Sequence, residues 1–197
     1  MTTLQNRPRD ADFSGGFQNP APEAARIFRH ALDAMARPGR IETVSGIAPP
    51  APLSSAAGAM LLTLADLETV VHLAPSHDIP AVRDWLVFHT SAPFGVAEKA
   101  DFAVGTWNDL QPVTTYKAGT SEYPDQSATL IVEMDRLEAD GARLTGPGIK
   151  DEAWLTLPEN DAFVWNRRRF PLGFDCFFTC GDRLAALPRS TRIGGDS

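Results

Sequence analysis

Segments with a helical pattern alternate with short apolar segments along most of this 197-residue chain, and such alternation is typical of the α/β class. Apolar spacing predicts helices over 21–39, 56–66, 79–90 and 161–170. Apolar runs predict strands over 40–44, 68–74, 99–106, 128–137, 142–146, 152–157, 174–180 and 183–188. We therefore predict a mixed β-sheet flanked by helices, whose antiparallel part is a C-terminal hairpin turning at Gly181-Asp182.

The first two helices carry the clearest local signals. The first ends at Pro38-Gly39, and its apolar positions form one amphipathic stripe, made of Ala24, Ile27, Phe28, Ala31, Leu32 and Met35. The second follows Ser54-Ser55, which are plausible caps, and is apolar on most sides, so it should lie deep in the fold. We expect the strand at 142–146 to be a partner of the strand at 128–137.

The domain organisation follows from polarity and length. We predict a flexible N-terminal arm over 1–19, a single α/β domain over 20–192 and a short tail over 193–197. Residues 107–126 show no clear period, which indicates a loop or a broken helix.

Charge and composition exclude some classes of function. The formal net charge is −7, the sequence pI is about 5.0, and the basic run Arg167-Arg168-Arg169 is too short for a phosphate-backbone footprint, so we expect no nucleic-acid partner. No stretch approaches the ~20 apolar residues of a membrane span. The N-terminus also lacks the apolar core of a signal peptide, which predicts a cytoplasmic protein.

Cys176 and Cys180 are the only cysteines, and both fall on the predicted strand at 174–180. Four residues along a strand place their Cα atoms about 13 Å apart, whereas a disulfide needs about 7 Å or less. The four histidines lie far away in the sequence and show no zinc-ligand spacing. We interpret both cysteines as small buried hydrophobic residues, with the Cys180 thiol partly reachable.

The turn "LTGPGIK" (144–150) leaves two interpretations open. Its backbone amides could hold an anion beside Lys150, or the segment could be a tight structural turn, because Pro147 has no N–H and the pattern is not a P-loop. His89 is equally ambiguous, since a histidine in the last turn of a helix is favoured by the helix dipole and could also bind a ligand.

Polar residues near the C-terminus are further candidates. Asp175 begins an apolar strand, where an inward carboxylate needs a partner. Arg189, Ser190 and Thr191 follow the hairpin and could either contact an anion or face water. The chain contains no nucleophile elbow, no HExxH motif and no paired carboxylates at a telling spacing. The residues by themselves therefore name no reaction.

Several longer segments do carry a family resemblance. They are "FRHALDAMARPG" (28–39), "LLTLADLETVV" (61–71), "FHTSAP" (88–93), "ATLIVEMDRL" (128–137), "LTGPGI" (144–149) and "FPLGFDCFFTCGDRLAALPRST" (170–191). In this order they resemble the PhnH family, one component of the bacterial carbon–phosphorus lyase system, over nearly all of the chain after the arm.

The resemblance implies a role in alkylphosphonate catabolism. Proteins of the PhnH family form a core complex with the G, I and J subunits, and in isolation they are homodimers. The complex supports formation of α-D-ribose 1-methylphosphonate 5-triphosphate from methylphosphonate and a nucleoside triphosphate, with release of the purine. Cleavage of the carbon–phosphorus bond belongs later, to the iron–sulfur J subunit.

The resemblance also implies the fold of type I pyridoxal-phosphate-dependent transferases without their cofactor. Pyridoxal phosphate needs a lysine for its Schiff base, and only Lys99, Lys117 and Lys150 exist, none with an obvious set of partners. We therefore expect no cofactor, no metal and no catalytic residue in this chain.

We expect a ligand or partner surface at polar residues near strand ends and turns. These residues are His89, Thr90, Thr145, Gly146, Gly148, Asp175, Arg189 and Thr191. Two alternatives remain. One is a self-contained small transferase or hydrolase that uses His89 with an anion clamp at Gly146–Gly148. The other is a pyridoxal-phosphate protein.

Overall fold

A computed structural model describes residues 13–194 of the chain. The helices are α1 (Pro20–Ala36), α2 (Ser55–Leu64), α3 (Pro80–Thr90) and α4 (Asp161–Arg168). The strands are β1 (Glu42–Thr43), β2 (Val71–Leu73), β3 (Phe102–Thr106), β4 (Thr129–Glu133), β5 (Ala142–Thr145), β6 (Ala153–Leu155), β7 (Asp175–Cys180), β8 (Arg183–Leu187) and β9 (Arg192–Ile193). Short 3₁₀ turns at Val113–Thr115 and Pro124–Gln126 interrupt the segment whose pattern predicts irregular structure.

The main sheet has six strands in the order β1-β8-β7-β4-β3-β2. Strands β2, β3, β4 and β7 are parallel neighbours, while β8 pairs antiparallel with both β7 and β1. The predicted mixed sheet flanked by helices is therefore confirmed, and so is the hairpin that supplies its antiparallel part.

The predicted pairing of the strand at 142–146 with the strand at 128–137 is wrong. Strand β5 instead pairs with β6 and β9 in a separate three-stranded antiparallel sheet. The reason is that β4 already has β3 on one side and β7 on the other, so no edge of β4 remains for a third strand.

The main sheet has an apolar cluster on each face, because alternate residues of its strands point to opposite sides. Ile131 contributes to the cluster with α1, α2 and α3, and its neighbours Leu130 and Val132 contribute to the cluster with α4 and the second sheet. Helix α2 is the most deeply placed of the helices, with its first half buried from Ala56 to Leu61. This burial confirms the depth that its composition predicted.

Helix α1 confirms the predicted element but not the whole predicted stripe. Ile27, Ala31 and Ala34 are buried, whereas Phe28 is 46% exposed and Leu32 is 54% exposed. Helix α1 packs against α2 and β8, and its side with Ile27, Ala31 and Ala34 belongs to the apolar cluster, so Phe28 and Leu32 lie on the outer side of the helix.

Residues beyond the predicted domain limits also contact the fold. In the segment assigned to the arm, the backbone carbonyl of Ser14 accepts a hydrogen bond of 2.9 Å from Trp85 Nε1, and the ring of Phe13 stacks on Phe88. In the segment assigned to the tail, Ile193 is 2% exposed and lies opposite Leu144 in the second sheet. The remaining residues of both segments, 1–12 and 195–197, lie outside the described part of the chain.

No helix within residues 13–194 combines the length and the apolar character that crossing a membrane requires.

Candidate functional site

The carboxyl ends of β3 and β4 open onto a cleft of about 350 Å³, which we call the β3–β4 cleft. Its lining includes Thr106, Trp107 and Asn108 from the end of β3, Glu133, Asp135 and Arg136 from the end of β4, and Thr156 after β6. In open α/β sheets, ligands bind outside the carboxyl ends of the parallel strands. Its position therefore makes this cleft a candidate ligand-binding site.

Glu133 is the deepest charged group at the cleft, with a side chain that is 11% exposed. Its Oε1 accepts a hydrogen bond of 2.6 Å from the backbone N–H of Ser54, and its Oε2 accepts one of 2.9 Å from Thr179 Oγ1. Burial raises the pKa of Glu133, and the hydrogen bonds from Ser54 and Thr179 oppose that rise.

His77 lies beside Glu133 and is 2% exposed. Its Nδ1 lies 2.9 Å from Ser76 Oγ, and its Nε2 lies 3.9 Å from Glu133 Oε1 without a hydrogen-bond partner among the described residues. Burial lowers the pKa of His77, so the ring is neutral near pH 7, although Asp109 and the Pro52 carbonyl favour its protonated form.

Asp109 is an exposed carboxylate that contacts Ser76, the hydrogen-bonding neighbour of His77. Hydrogen bonds from Ser76 and Thr106 hold the pKa of the exposed Asp109 carboxyl below its usual value. Because the carboxylate binds the Ser76 hydroxyl rather than the imidazole of His77, the three residues do not form the order of contacts of a Ser-His-Asp triad.

The predicted candidates His89 and Thr90 both make hydrogen bonds within the fold. His89 Nε2 donates a hydrogen bond of 2.9 Å to the carbonyl of Phe13. Thr90 Oγ1 donates to the carbonyl of Leu86 at 2.7 Å and accepts from the N–H of Ala92 at 3.1 Å, which closes the end of α3. These contacts account for both residues within the fold.

Asp175 and Arg189 form an ion pair at the amino end of β7, and therefore at the opposite edge of the parallel strands from the cleft. Arg189 Nη1 also donates to the carbonyls of Pro124 and Pro171, at 2.9 and 3.4 Å, and Nη2 donates to Ser127 Oγ. A guanidinium has five N–H groups, and these contacts use all of them.

The remaining candidates lie in or beside the second sheet. Thr145 is opposite Arg192, and a Cβ on Gly146 would lie 3.4 Å from the carbonyl of Ser190, next to the buried Thr191. Thr191 Oγ1 has no hydrogen-bond partner among residues 13–194.

Gly148 belongs to the same turn but packs on a different element. A Cβ on Gly148 would lie 2.0 Å from the carbonyl oxygen of Ala36, at the end of α1. This close approach favours the structural interpretation of the turn over an anion site. The eight predicted residues are thus divided among three places, and none of them lines the β3–β4 cleft.

Sequence reasoning missed Glu133, His77, Ser76 and Asp109. The signal that could have found them is positional: Glu133 lies in the predicted strand at 128–137 and ends β4, and the other three follow the strands β2 and β3. Because the carboxyl ends of parallel strands meet at one edge, polar residues at those points are expected to lie together.

The cysteines lie on β7 and are both free thiols. Cys176 is buried and Cys180 is half-buried, as predicted, and burial raises the pKa of the Cys176 thiol. Among residues 13–194, no three His, Cys, Asp or Glu side chains are grouped so that they could hold a metal ion.

None of the three lysines lines the cleft. Lys117 pairs with Asp101, while Lys99 and Lys150 are exposed. Pyridoxal phosphate bound in the β3–β4 cleft would therefore have no lysine with which to form a Schiff base.

The fold and the cleft define an α/β protein with a mixed six-stranded sheet and a carboxylate-lined crevice at the ends of its parallel strands. Residues 15–194 match the family model described as "Bacterial phosphonate metabolism protein (PhnH)". The chain belongs to this family.

Two curated relatives are similar over most of their length. One is the "Alpha-D-ribose 1-methylphosphonate 5-triphosphate synthase subunit PhnH" of Rhizobium meliloti (strain 1021), 39% identical over 192 residues that cover 92% of this chain and 95% of the relative. The other is the "Putative C-P lyase subunit protein HtxG" of Stutzerimonas stutzeri, 32% identical over 185 residues that cover 88% of this chain and 87% of the relative.

Proposed function

We propose that this chain is a component of a carbon–phosphorus lyase core complex and assembles with G, I and J subunits. In that complex it would support formation of α-D-ribose 1-methylphosphonate 5-triphosphate from methylphosphonate and a nucleoside triphosphate, with release of the purine. The relative from Rhizobium meliloti is named as a subunit of the corresponding synthase, which supports the proposal. The chain would orient groups that its partners hold, which contributes to catalysis without a reactive residue of its own.

The observation that carries the proposal is a set of exposed apolar side chains on α1, α3 and the segment before α1, which we call the α1–α3 surface. Phe28 and Leu32 on α1 are 46% and 54% exposed. Val87 and Phe88 on α3 are 48% and 61% exposed, and Phe13, which stacks on Phe88, is 37% exposed. Groups of exposed apolar side chains mark interaction sites, and aromatic residues are enriched in the cores of interfaces. A surface of this composition suits burial against another polypeptide.

The same surface gives the isolated chain a means to pair with a second copy, and we propose a homodimer in the absence of the other subunits.

We also propose the type I pyridoxal-phosphate transferase fold without the cofactor. The parallel strands β2, β3, β4 and β7 next to the antiparallel β8 are compatible with that fold.

The test is co-expression of this chain with tagged G, I and J subunits, followed by affinity purification. The wild-type chain should be recovered in stoichiometric amounts with its partners. The double variant Phe28→Asp, Leu32→Asp should be lost from the complex while its thermal midpoint stays close to that of the wild type, because both side chains are exposed.

The matched control is Leu67→Asp, since Leu67 is 70% exposed but lies in the turn after α2. This variant should assemble normally. Recovery of only a free homodimer from wild-type co-expression, or full assembly of the double variant, would contradict the proposal.

The self-contained transferase or hydrolase has less support, because His89 already donates its Nε2–H to the carbonyl of Phe13. It predicts multiple turnovers by the purified chain alone, abolished by His89→Ala.

A further inference from the structure

Some polar groups of the β3–β4 cleft already form hydrogen bonds or ion pairs within the fold, and others do not. Arg136 binds Asp140 through both Nη atoms, and Thr156 Oγ1 accepts from the N–H of Glu138 at 3.1 Å. The carboxylate of Asp135 and the amide of Asn108 are both exposed, and neither makes a side-chain hydrogen bond or ion pair within residues 13–194. These two groups are therefore available to a ligand.

The charge of the cleft disfavours an anion. Glu133 and Asp135 both line it, and Arg136, the one cation that residues 13–194 place in its lining, is neutralised by Asp140. Carboxylate oxygens accept hydrogen bonds, and an amide both donates and accepts them. The available groups thus suit a ligand that is rich in hydroxyl groups.

One buried nitrogen atom of the lining also has no partner among the described residues. Trp107 lines the cleft and is 7% exposed, and its Nε1–H meets no acceptor. Buried polar groups are nearly always hydrogen-bonded, and each exception needs an explanation.

The apolar part of the lining complements these groups. Met134, Pro158 and Trp107 contribute to the lining of the cleft. Apolar and aromatic surfaces with a few convergent polar groups are typical of small-molecule sites. A sugar ring presents C–H groups to such surfaces and hydroxyl groups to carboxylates and amides.

We propose that the β3–β4 cleft binds the hydroxyl groups of a pentose, with Asp135 and Asn108 as its principal contacts and Trp107 as a third. The inference rests on the proposed function, because the product named for the relative from Rhizobium meliloti contains a ribose. Any phosphate groups of the ligand point out of the cleft, away from Glu133 and Asp135.

The test is isothermal titration calorimetry of D-ribose 5-phosphate against the isolated chain and against the purified core complex. The wild type should bind it, inorganic phosphate should not compete, and 2-deoxy-D-ribose 5-phosphate should bind more weakly. Asp135→Asn should weaken binding about tenfold, because it replaces a charged acceptor oxygen with an NH2 group that cannot accept a hydrogen bond, and Asn108→Ala should do the same, because it removes the amide.

The matched control is Asp84→Asn, an exposed carboxylate on α3, which packs in the other apolar cluster. This variant should bind as the wild type does. No binding to either preparation, unchanged binding by Asp135→Asn, or equal competition by inorganic phosphate would overturn the inference. Co-purification of Asp135→Asn with the other subunits separates the two proposals, because assembly does not depend on the cleft.

Discussion

Arg189 ties together three parts of the chain that are distant in sequence. Besides its ion pair with Asp175, it donates to Ser127 and to the carbonyls of Pro124 and Pro171, and its side chain is only 11% exposed. A planar guanidinium can reach these acceptors at once, whereas a lysine ammonium has three donors at a single point.

We expect Arg189→Lys to lower the free energy of unfolding by about 2–4 kcal/mol, because it leaves Asp175 and several acceptors poorly paired in a partly buried site. Urea denaturation measures the change. The control is Arg143→Lys in the exposed pair with Glu152, where the change should stay within about 0.5 kcal/mol. Equal effects of the two substitutions would contradict the structural role of Arg189.

His77 makes the stability of the fold depend on pH. Burial places the pKa of His77 in the folded state below 6.5, the value for the exposed side chain. Between these two values the unfolded chain binds more protons, so the free energy of unfolding falls as the pH drops through that interval. Glu133 has the opposite effect, because its pKa in the folded state lies above 4.5.

We expect His77→Asn to reduce the fall of the free energy of unfolding between about pH 7 and pH 5, measured by urea denaturation of both proteins at each pH. Asn can retain the hydrogen bond to Ser76, and Glu133 contributes equally in both proteins. The difference between the two curves therefore isolates His77. Parallel curves over this interval would show that His77 is not responsible.

At the scale of the element, α2 begins in a capping arrangement that is assembled from two parts of the chain. Ser54 Oγ accepts from the N–H of Ala57, as an N-cap does, and the N–H of Ser54 donates to Glu133. In a capping box, the acceptor of this second hydrogen bond is the side chain of a Glu three residues after the N-cap. Here that position is Ala57, so β4 supplies the carboxylate instead.

The turn after β5 is set by contact with another element. We expect Gly148→Ala to lower the free energy of unfolding by about 2–4 kcal/mol, because φ is +81° and the new Cβ would lie 2.0 Å from the Ala36 carbonyl oxygen. Thermal denaturation provides the measurement. The control is Gly181→Ala, with φ of +60° and nothing within 4 Å of the Cβ, which should cost about 1 kcal/mol. If both alanine variants lose the same stability, the turn contributes little packing.

At the scale of the whole molecule, the two apolar clusters share the strands of the main sheet. Residues such as Ile131 face one cluster, and their neighbours in the chain face the other. A change in one cluster therefore affects the strands that support the second. This arrangement predicts a single cooperative unfolding transition.

We expect Leu61→Ala, in the cluster with α2, and Phe163→Ala, in the cluster with α4, each to cost about 2–5 kcal/mol. Far-ultraviolet circular dichroism and tryptophan fluorescence should give coincident transitions in both variants, since Trp85 and Trp107 report on different clusters. Two separate transitions would show that the clusters unfold independently.

The elements were largely predictable and the site was not. Helices, strands and the terminal hairpin follow from patterns within about ten to twenty neighbouring residues. The predicted candidates were instead residues with conspicuous side chains, such as Arg189 and His89. Both of these side chains already form hydrogen bonds within the fold. Glu133 and His77 are 56 positions apart in sequence numbering, and only the parallel pairing of β2, β3 and β4 brings their loops together.

By itself the sequence determined which segments are helical or extended, that the hairpin is antiparallel, and the resemblance to one family. The tertiary structure alone decided that Phe28 and Leu32 face outward, that β5 leaves the main sheet, and that the cleft forms at Glu133. The physical reason is the distance along the sequence over which each kind of interaction acts. Periodicity records only that a segment has an apolar side, whereas the partner of that side depends on contacts between distant parts of the chain.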